Sequence, residues 1–144
     1  MAEMFSNAAA YEGLMGRWSA RLAPLFMNFA QVKDGERVLD VGCGTGSLVR
    51  TIADNAGQSE IVGIDPAQPS IDYCRARFPD PRITFDVGSA MDLPYATDSF
   101  DQSLSLLVFS FVPQPEKAAS EMRRVTRPGG TIAACNWDPS GYLM

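Results

Sequence analysis

The chain has 144 residues, 46% of them hydrophobic and 20% charged, a balance that supports one packed domain and excludes a disordered chain. Its net charge of −5 and pI of about 4.6 give a surface that repels phosphate backbones, which argues against nucleic acid as a partner. There is no histidine, so histidine acid–base catalysis and histidine metal sites are excluded as well.

In chain order, residues 18–31 read as a helix, with Leu22, Leu25, Phe26 and Phe29 at the i, i+3, i+4, i+7 spacing of one apolar face. Residues 33–36 are a turn and 38–41 a short buried strand. Residues 47–56 form a helix that turns Leu48, Val49, Ile52 and Ala53 inward, with Gly57 placed for a left-handed C-terminal cap. A second strand takes 60–64, and a helix takes 70–78 before Pro79 and Pro81 stop it. A third strand, 82–87, alternates through Ile83, Phe85 and Val87, and a turn-rich loop follows over 88–99. Residues 101–108 are a fourth strand. Residues 115–127 are a helix with Ala118, Ala119, Met122 and Val125 inward, and with Arg123, Arg124 and Arg127 at the end where cations complement the helix dipole. Pro128-Gly129 fits a type II turn, and residues 131–137 are a fifth strand. Strands and helices alternating at this spacing require parallel strands and right-handed crossovers, which gives an α/β, doubly wound sheet flanked by helices.

Cys43, Cys74 and Cys135 are odd in number, widely spaced and outside any zinc pattern, so they read as reduced thiols with no metal site. Residues 1–10 lack the basic start and apolar run of a signal peptide, and no apolar run is long enough to cross a bilayer. The expectation is a cytoplasmic chain with no membrane partner.

The chemistry lies in Gly42-Cys43-Gly44-Thr45-Gly46, which leaves a predicted strand and enters a predicted helix. One glycine permits the tight turn, one lets a ligand touch the backbone, and one lets the helix approach the sheet. Asp65 stands about 20 residues on, at the end of the second strand, where a carboxylate accepts both hydroxyls of a ribose. Taken alone, Asp65 before Pro66 would be a helix cap, and the glycines a plain connecting turn. The GxGxG spacing lacks the last glycine of the dinucleotide pattern GxGxxG, which points to a nucleoside ligand without phosphates and away from a dinucleotide-dependent oxidoreductase.

With these residues in place, the chain resembles class I S-adenosylmethionine-dependent methyltransferases, of the small-molecule kind labelled methyltransferase type 11. Residues 38–46 resemble the family's first motif, and Ile61-Val62-Gly63-Ile64-Asp65 its second. Residues 88–95 are similar to the loop that holds adenine, and 121–130 to the last motif before the fifth strand. The resemblance covers about 11–137 and implies a Rossmann-like sheet with its strands in the order 3-2-1-4-5. It implies that Asp40 and the backbone of Gly42, Gly44 and Gly46 line the methionine and ribose end of S-adenosylmethionine. Asp65 would take the ribose, and Pro66 and Ala90 would flank adenine, with Ser89 and Met91 in the same loop. Tyr11 and Arg17 resemble an N-terminal cover, with Arg17 opposite the cofactor carboxylate. In the competing reading, Tyr11 and Trp18 staple the first helix to the core.

The sequence departs from the family at Ser89, where an acid often binds the adenine amine, and at Ser110, where a histidine is common. It also stops short. The family's sheet runs 3-2-1-4-5-7-6, so residues 1–144 are expected to be a single domain lacking the C-terminal part of the usual fold. Residues 131–137 would then be an apolar edge strand, and a homodimer, a partner chain or a longer parent protein is expected to cover it.

The reaction implied is direct displacement of a methyl group from a sulfonium, which chiefly needs an aligned nucleophile and excluded water. No general base is assigned, although Tyr11, Tyr95, Asp92 and Asp138 lie in segments that could approach the methyl. Leu107, Phe109, Phe111 and Trp137 suit a small, partly apolar acceptor, or else are core. The segment 105–109 is not the Asn-Pro-Pro-Tyr run of enzymes that methylate bases or glutamine. The main alternative is a cofactor-binding module or fragment without catalysis of its own.

Overall fold

A computed structural model describes residues 15–138 and 140. The elements are α1 (Arg17–Ala30), β1 (Arg37–Val41), α2 (Ser47–Asn55), β2 (Glu60–Asp65), α3 (Gln68–Arg77), β3 (Ile83–Val87), β4 (Phe100–Leu106), α4 (Pro115–Val125) and β5 (Thr126–Cys135). All pairings are parallel and the strand order is β3-β2-β1-β4-β5. This is the Rossmann-like, doubly wound sheet that the alternation of elements requires.

Side-chain alternation along the central strand divides the core. Val38 packs with Ala23 and Phe26 of α1, Leu48 and Ile52 of α2, and Ile71 of α3. Leu39 and Val41, pointing the other way, pack with Met122 and Val125 of α4. A strand covered on both faces is apolar on both, which is why β1 and β2 read as continuous hydrophobic runs. The exception is Asp40, on the same face as Val38.

Several expectations need correction. α1 forms where expected, but its buried residues are Ser19, Ala23, Phe26 and Ala30. Leu25 and Phe29 are 68% and 76% exposed, and Trp18 is 50% exposed. Small side chains at 19, 23 and 30 let the helix approach its neighbours closely, so it keeps the expected Phe26 buried and Leu22 on the core while Leu25 and Phe29 turn outward. α2 is capped at Ala56 (φ −133°), and Gly57 does not take up the left-handed cap. Ala119 of α4 is exposed. Nor do the arginines expected at the end of α4 serve the helix dipole alone: Arg124 pairs with Glu121, and Arg127, which the structure places in β5, pairs with Asp101.

The fifth strand begins earlier than expected, at Thr126, and is irregular where residues 127–130 pass Asp101. Gly129, at φ +81°, carries the Pro128-Gly129 turn inside that irregularity. Among the described residues β5 is the outer strand on its side, with Ile132 exposed. At the opposite edge Arg75 of α3 donates to the Phe85 carbonyl of β3 (2.7 Å), a charged cover for an outer strand. No helix among the described residues is long and apolar enough to cross a membrane, and no group of side chains there could hold a metal ion.

Candidate functional site

In this strand order the chain leaves β1 toward β2 and leaves β4 toward β5, so the connections diverge between β1 and β4. Such a divergence opens a crevice at the carboxyl ends of the strands, where ligands bind in open α/β sheets. A cleft of about 780 Å3 lies there, bounded by Gly42, Gly44 and Asp65 on the β1–β2 side and by Leu107, Val108 and Phe111 on the β4 side. That volume suits a ligand of nucleoside size and larger.

The loop after β1 owes its shape to left-handed backbone at Gly42 (φ +76°), Gly44 (+53°) and Gly46 (+91°). The N–H groups of Gly42 and Cys43 both donate to the Ile64 carbonyl (2.8 and 3.0 Å), which ties the loop to β2. A Cβ on Gly42 would stand 2.5 Å from a Val108 methyl, and one on Gly46 would stand 2.7 Å from the Phe78 ring. The glycines thus serve close packing as well as ligand approach. Below the loop, the thiols of Cys74 and Cys43 share the Gly44 carbonyl (3.3 and 3.9 Å). Contact with Cys74 and burial push the Cys43 thiol up, so Cys43 is an inert structural sulfur.

Asp65 has two protein partners. One carboxylate oxygen accepts from the Gly44 N–H (3.0 Å) and the other from the Ala67 N–H (2.9 Å), so it braces the glycine loop and closes an Asx turn just ahead of α3. Burial raises its pKa and the two backbone donors work against that rise. Each oxygen keeps a lone pair for a further donor. The N-cap of α3 is Ala67, without a side-chain cap bond, so Asp65 forms a turn before the helix rather than the helix cap that its place before Pro66 suggests.

Asp40 does not line the cleft. It lies behind Gly42, in a void of about 10 Å3 bounded also by Ser19, Thr45 and Ser47, and Gly42 borders both spaces. The residue is only 1% exposed, and neither carboxylate oxygen has a hydrogen-bond partner among the described residues. Burial first, and the neighbouring Asp65 second, push its carboxyl up to about 8. A group left in this state is poised to meet a cation or a donor.

Pro66, Ser89, Ala90 and Met91 line the cleft beside Asp65. The Ser89 hydroxyl accepts from the Met91 N–H (3.1 Å), forming a tight turn at the tip of the 88–95 loop. Gly46 lies outside the lining, at the start of α2. Arg17 is exposed at the first turn of α1 and is not in the cleft wall, and Tyr11 falls outside the described residues.

The wall after β4 has a different character. Leu107 takes a left-handed backbone (φ +61°) while its N–H bonds the Cys135 carbonyl, which ends the strand at Leu106, before the expected 108, and swings Val108 over Gly42. A short helical turn, Phe109–Phe111, follows. Leu107, Val108, Phe111, Val112 and Pro113 line the cleft, and Ser110 is the polar exception. Phe109 and Trp137 instead pack against the core, Trp137 edge-on to Trp18 at 6.3 Å. Asp65 is the one titratable side chain in the described lining. Tyr95 and Asp92 are not part of it; the Tyr95 hydroxyl donates to Asp86 (2.7 Å), and Asp138 bonds Ser140 at the surface. The hinge at Leu107 and the bracing by Asp65 had no sequence signal beyond residue type.

Comparison with known proteins bears on this cleft. A family model described as a methyltransferase domain matches residues 39–134. Methyltransferase GfsG of Streptomyces halstedii is 36% identical over 78% of this chain and 41% of its own length. The 24-methylenesterol C-methyltransferase 2 of Oryza sativa subsp. japonica is 33% identical over 74% of this chain and 30% of its own. The crystal structure of the [4+2]-cyclase SpnF superposes with a TM-score of 0.75 at 29% identity, over 85% of this chain and 48% of that one. The chain spans less than half the length of the curated relatives it matches.

Proposed function

The chain belongs to the methyltransferase domain family, and on that premise we propose that it binds S-adenosylmethionine and serves methyl transfer to a small, largely apolar acceptor. The observation that carries the proposal is the cleft at the β1–β4 divergence, with a glycine loop and a ribose-competent carboxylate on one side and an apolar wall on the other. Bound S-adenosylmethionine supplies a methyl group made electrophilic by its sulfonium. The chain's residues bind and orient. The loop backbone at Gly42 and Gly44 allows close approach, Asp65 offers its free lone pairs to the ribose hydroxyls, and Pro66 and Ala90 bracket the base beside Ser89 and Met91. Asp40, without a hydrogen-bond partner among the described residues, lies behind Gly42 and is no part of the ligand-facing wall.

The wall from Leu107 to Pro113 excludes water from the transfer zone and suits an apolar acceptor surface. Residues 107–113 include no titratable side chain, which suits an acceptor whose nucleophile needs little base assistance from that wall. The relative named as a sterol methyltransferase is compatible with an apolar small-molecule acceptor. Free thiols at Cys43, Cys74 and Cys135 support a reducing, cytoplasmic location.

A second reading, a cleft that binds the cofactor without transferring its methyl, is favoured by that same lack of a base and by the likeness to a protein named a cyclase. Calorimetric titration with S-adenosylmethionine, S-adenosylhomocysteine and NADH tests the proposal. Binding of the first two and not the third is expected, and binding of NADH alone would overturn it. Turnover with an apolar acceptor panel then separates the two readings.

A further inference from the structure

The loop that carries Ser89, Ala90 and Met91 is held by residues that do not line the cleft. Its fixed point is Leu93, whose side chain is buried with Phe100, Met122 and Val125. The Leu93 N–H donates to Glu121 Oε1 (2.9 Å), and the Leu93 carbonyl accepts from Arg124 Nη2 (2.9 Å). Arg124 Nη1 reaches the Tyr95 carbonyl (2.8 Å), while its Nε binds Glu121 Oε2 (2.6 Å). One carboxylate and one guanidinium, a turn apart on α4, thus satisfy three backbone groups of a single loop. Beyond the clamp, Tyr95 is fixed by its hydroxyl on Asp86 and by its ring against Phe100 (5.2 Å between centroids). At the loop's other end the Gly88 N–H bonds the Asp65 carbonyl (3.1 Å).

We propose that Glu121 and Arg124 are positioning residues that hold the 88–95 loop by its backbone, and through it set the base-binding wall of the cleft. The ligand half of this inference rests on the cofactor reading above; the clamp itself does not. The physical case is one of shape. A guanidinium is a planar fork whose donors can meet two carbonyls and a carboxylate together, which an ammonium cannot do. Charge-assisted bonds of this kind are stronger than neutral ones, and their backbone targets would otherwise be open to water. Among the described residues the hydrogen bonds of the pocket-lining tip, 89–91, stay within its own turn, and with Ala90 resting on the same buried cluster as Leu93 the tip takes its position from the anchor there.

The test uses the whole protein and the variants Arg124→Met, Arg124→Lys and Glu121→Gln, with Arg123→Met as control because Arg123 is the exposed neighbour on the same helix. Amide hydrogen exchange is followed without ligand, and adenosine and S-adenosylhomocysteine are titrated calorimetrically well below the melting temperature. Arg124→Met is expected to speed exchange over 89–95 and to weaken both ligands by the same factor, on the order of tenfold. Arg124→Lys, which keeps the charge and loses the fork, is expected to do the same to a lesser degree and carries the test if Arg124→Met does not fold. Glu121→Gln should fall between Arg124→Lys and the control, and Arg123→Met should change nothing. Unchanged exchange in both Arg124 variants overturns the clamp. Faster exchange with unchanged affinity overturns its hold on the cleft and leaves a merely structural pair. If the unaltered protein binds neither ligand, the cofactor reading and the ligand half fall together, and exchange still decides the clamp.

Discussion

The half of the cleft that follows β1 and β2 carries its shape in the backbone. Three left-handed glycines, paired amides on the Ile64 carbonyl and a carboxylate bonded to two N–H groups leave little freedom for other residue types. The half that follows β4 carries its shape in side chains: Val108, Phe111, Val112 and Pro113 present apolar surface and no charge. A backbone-built half constrains sequence tightly and suits a ligand that never varies. A side-chain-built half can be recut by substitution without disturbing the fold, which is where acceptor specificity is expected to reside. The halves meet where Val108 covers Gly42.

That contact gives the largest expected effect. Gly42→Ala must place a Cβ 2.5 Å from a Val108 methyl in a backbone at φ +76°. Overpacking and the left-handed cost together should lower stability by about 2–4 kcal/mol, measured by urea denaturation. Adding Val108→Ala should recover the clash and leave the left-handed cost, so the double variant should be more stable than the sum of the singles predicts. Strict additivity would mean that the two halves are independent after all.

Next in size is Asp65→Ala, which removes the charged acceptor from the ribose position. Affinity for S-adenosylhomocysteine should fall by about 1.5–3 kcal/mol. Since Asp65 also holds the Gly44 and Ala67 amides, stability should fall with it. Asp65→Asn retains one acceptor oxygen and should separate the two roles, losing affinity more than stability. Unchanged calorimetric affinity in both variants would remove Asp65 from the site.

Asp40 offers a smaller effect with a defined sign. Its carboxyl sits at about 8 in the fold and near 3.8 when free, so between those values the native chain holds a proton that the unfolded chain has lost. Stability from this group therefore falls as pH rises from about 4 to 8 and is flat above. Asp65 is raised as well and adds a slope of the same sign. Asp40→Asn should remove its own share, narrowing the stability difference between pH 6 and pH 9 by on the order of 1–2 kcal/mol in denaturant titrations. An unchanged pH slope would show that Asp40 is ionised in the fold and has a partner.

The same division governs what the sequence reveals. The glycine loop and both core faces of β1 are legible, because only certain residue types satisfy positive φ and double-sided burial, while the strand order is legible only through the family resemblance. The buried face of α1 is not legible, since Ser19, Ala23 and Ala30 win it by smallness and Leu25 and Phe29 lose it. Periodicity gives a helix but cannot tell close approach from large side chains. The Glu121–Arg124 clamp looked like dipole complementation because its partners are backbone carbonyls about 30 residues away, and carbonyls leave no mark in sequence. Asp40's place behind the loop depends on which side of β1 the cleft opens, and the strand order alone does not show it.

The smallest effect on the cofactor, and the sharpest on the comparison, is expected at Phe111. Its ring lines the β4 side of the cleft, away from the glycine loop. Phe111→Ala should leave affinity for S-adenosylhomocysteine within about twofold, because it alters no backbone or charge in the cofactor half. Turnover should respond differently: kcat/KM should fall for bulky apolar acceptors by about 10–200-fold, the range that lost apolar pocket contacts support, and less for small ones. Calorimetry and an acceptor panel on the same preparation make the comparison direct. If cofactor affinity fell as much as turnover, the two halves would be one binding unit and the wall after β4 part of the cofactor site. If turnover changed equally for every acceptor, Phe111 would act on the transfer zone as a whole, and the residues that choose the acceptor would lie elsewhere.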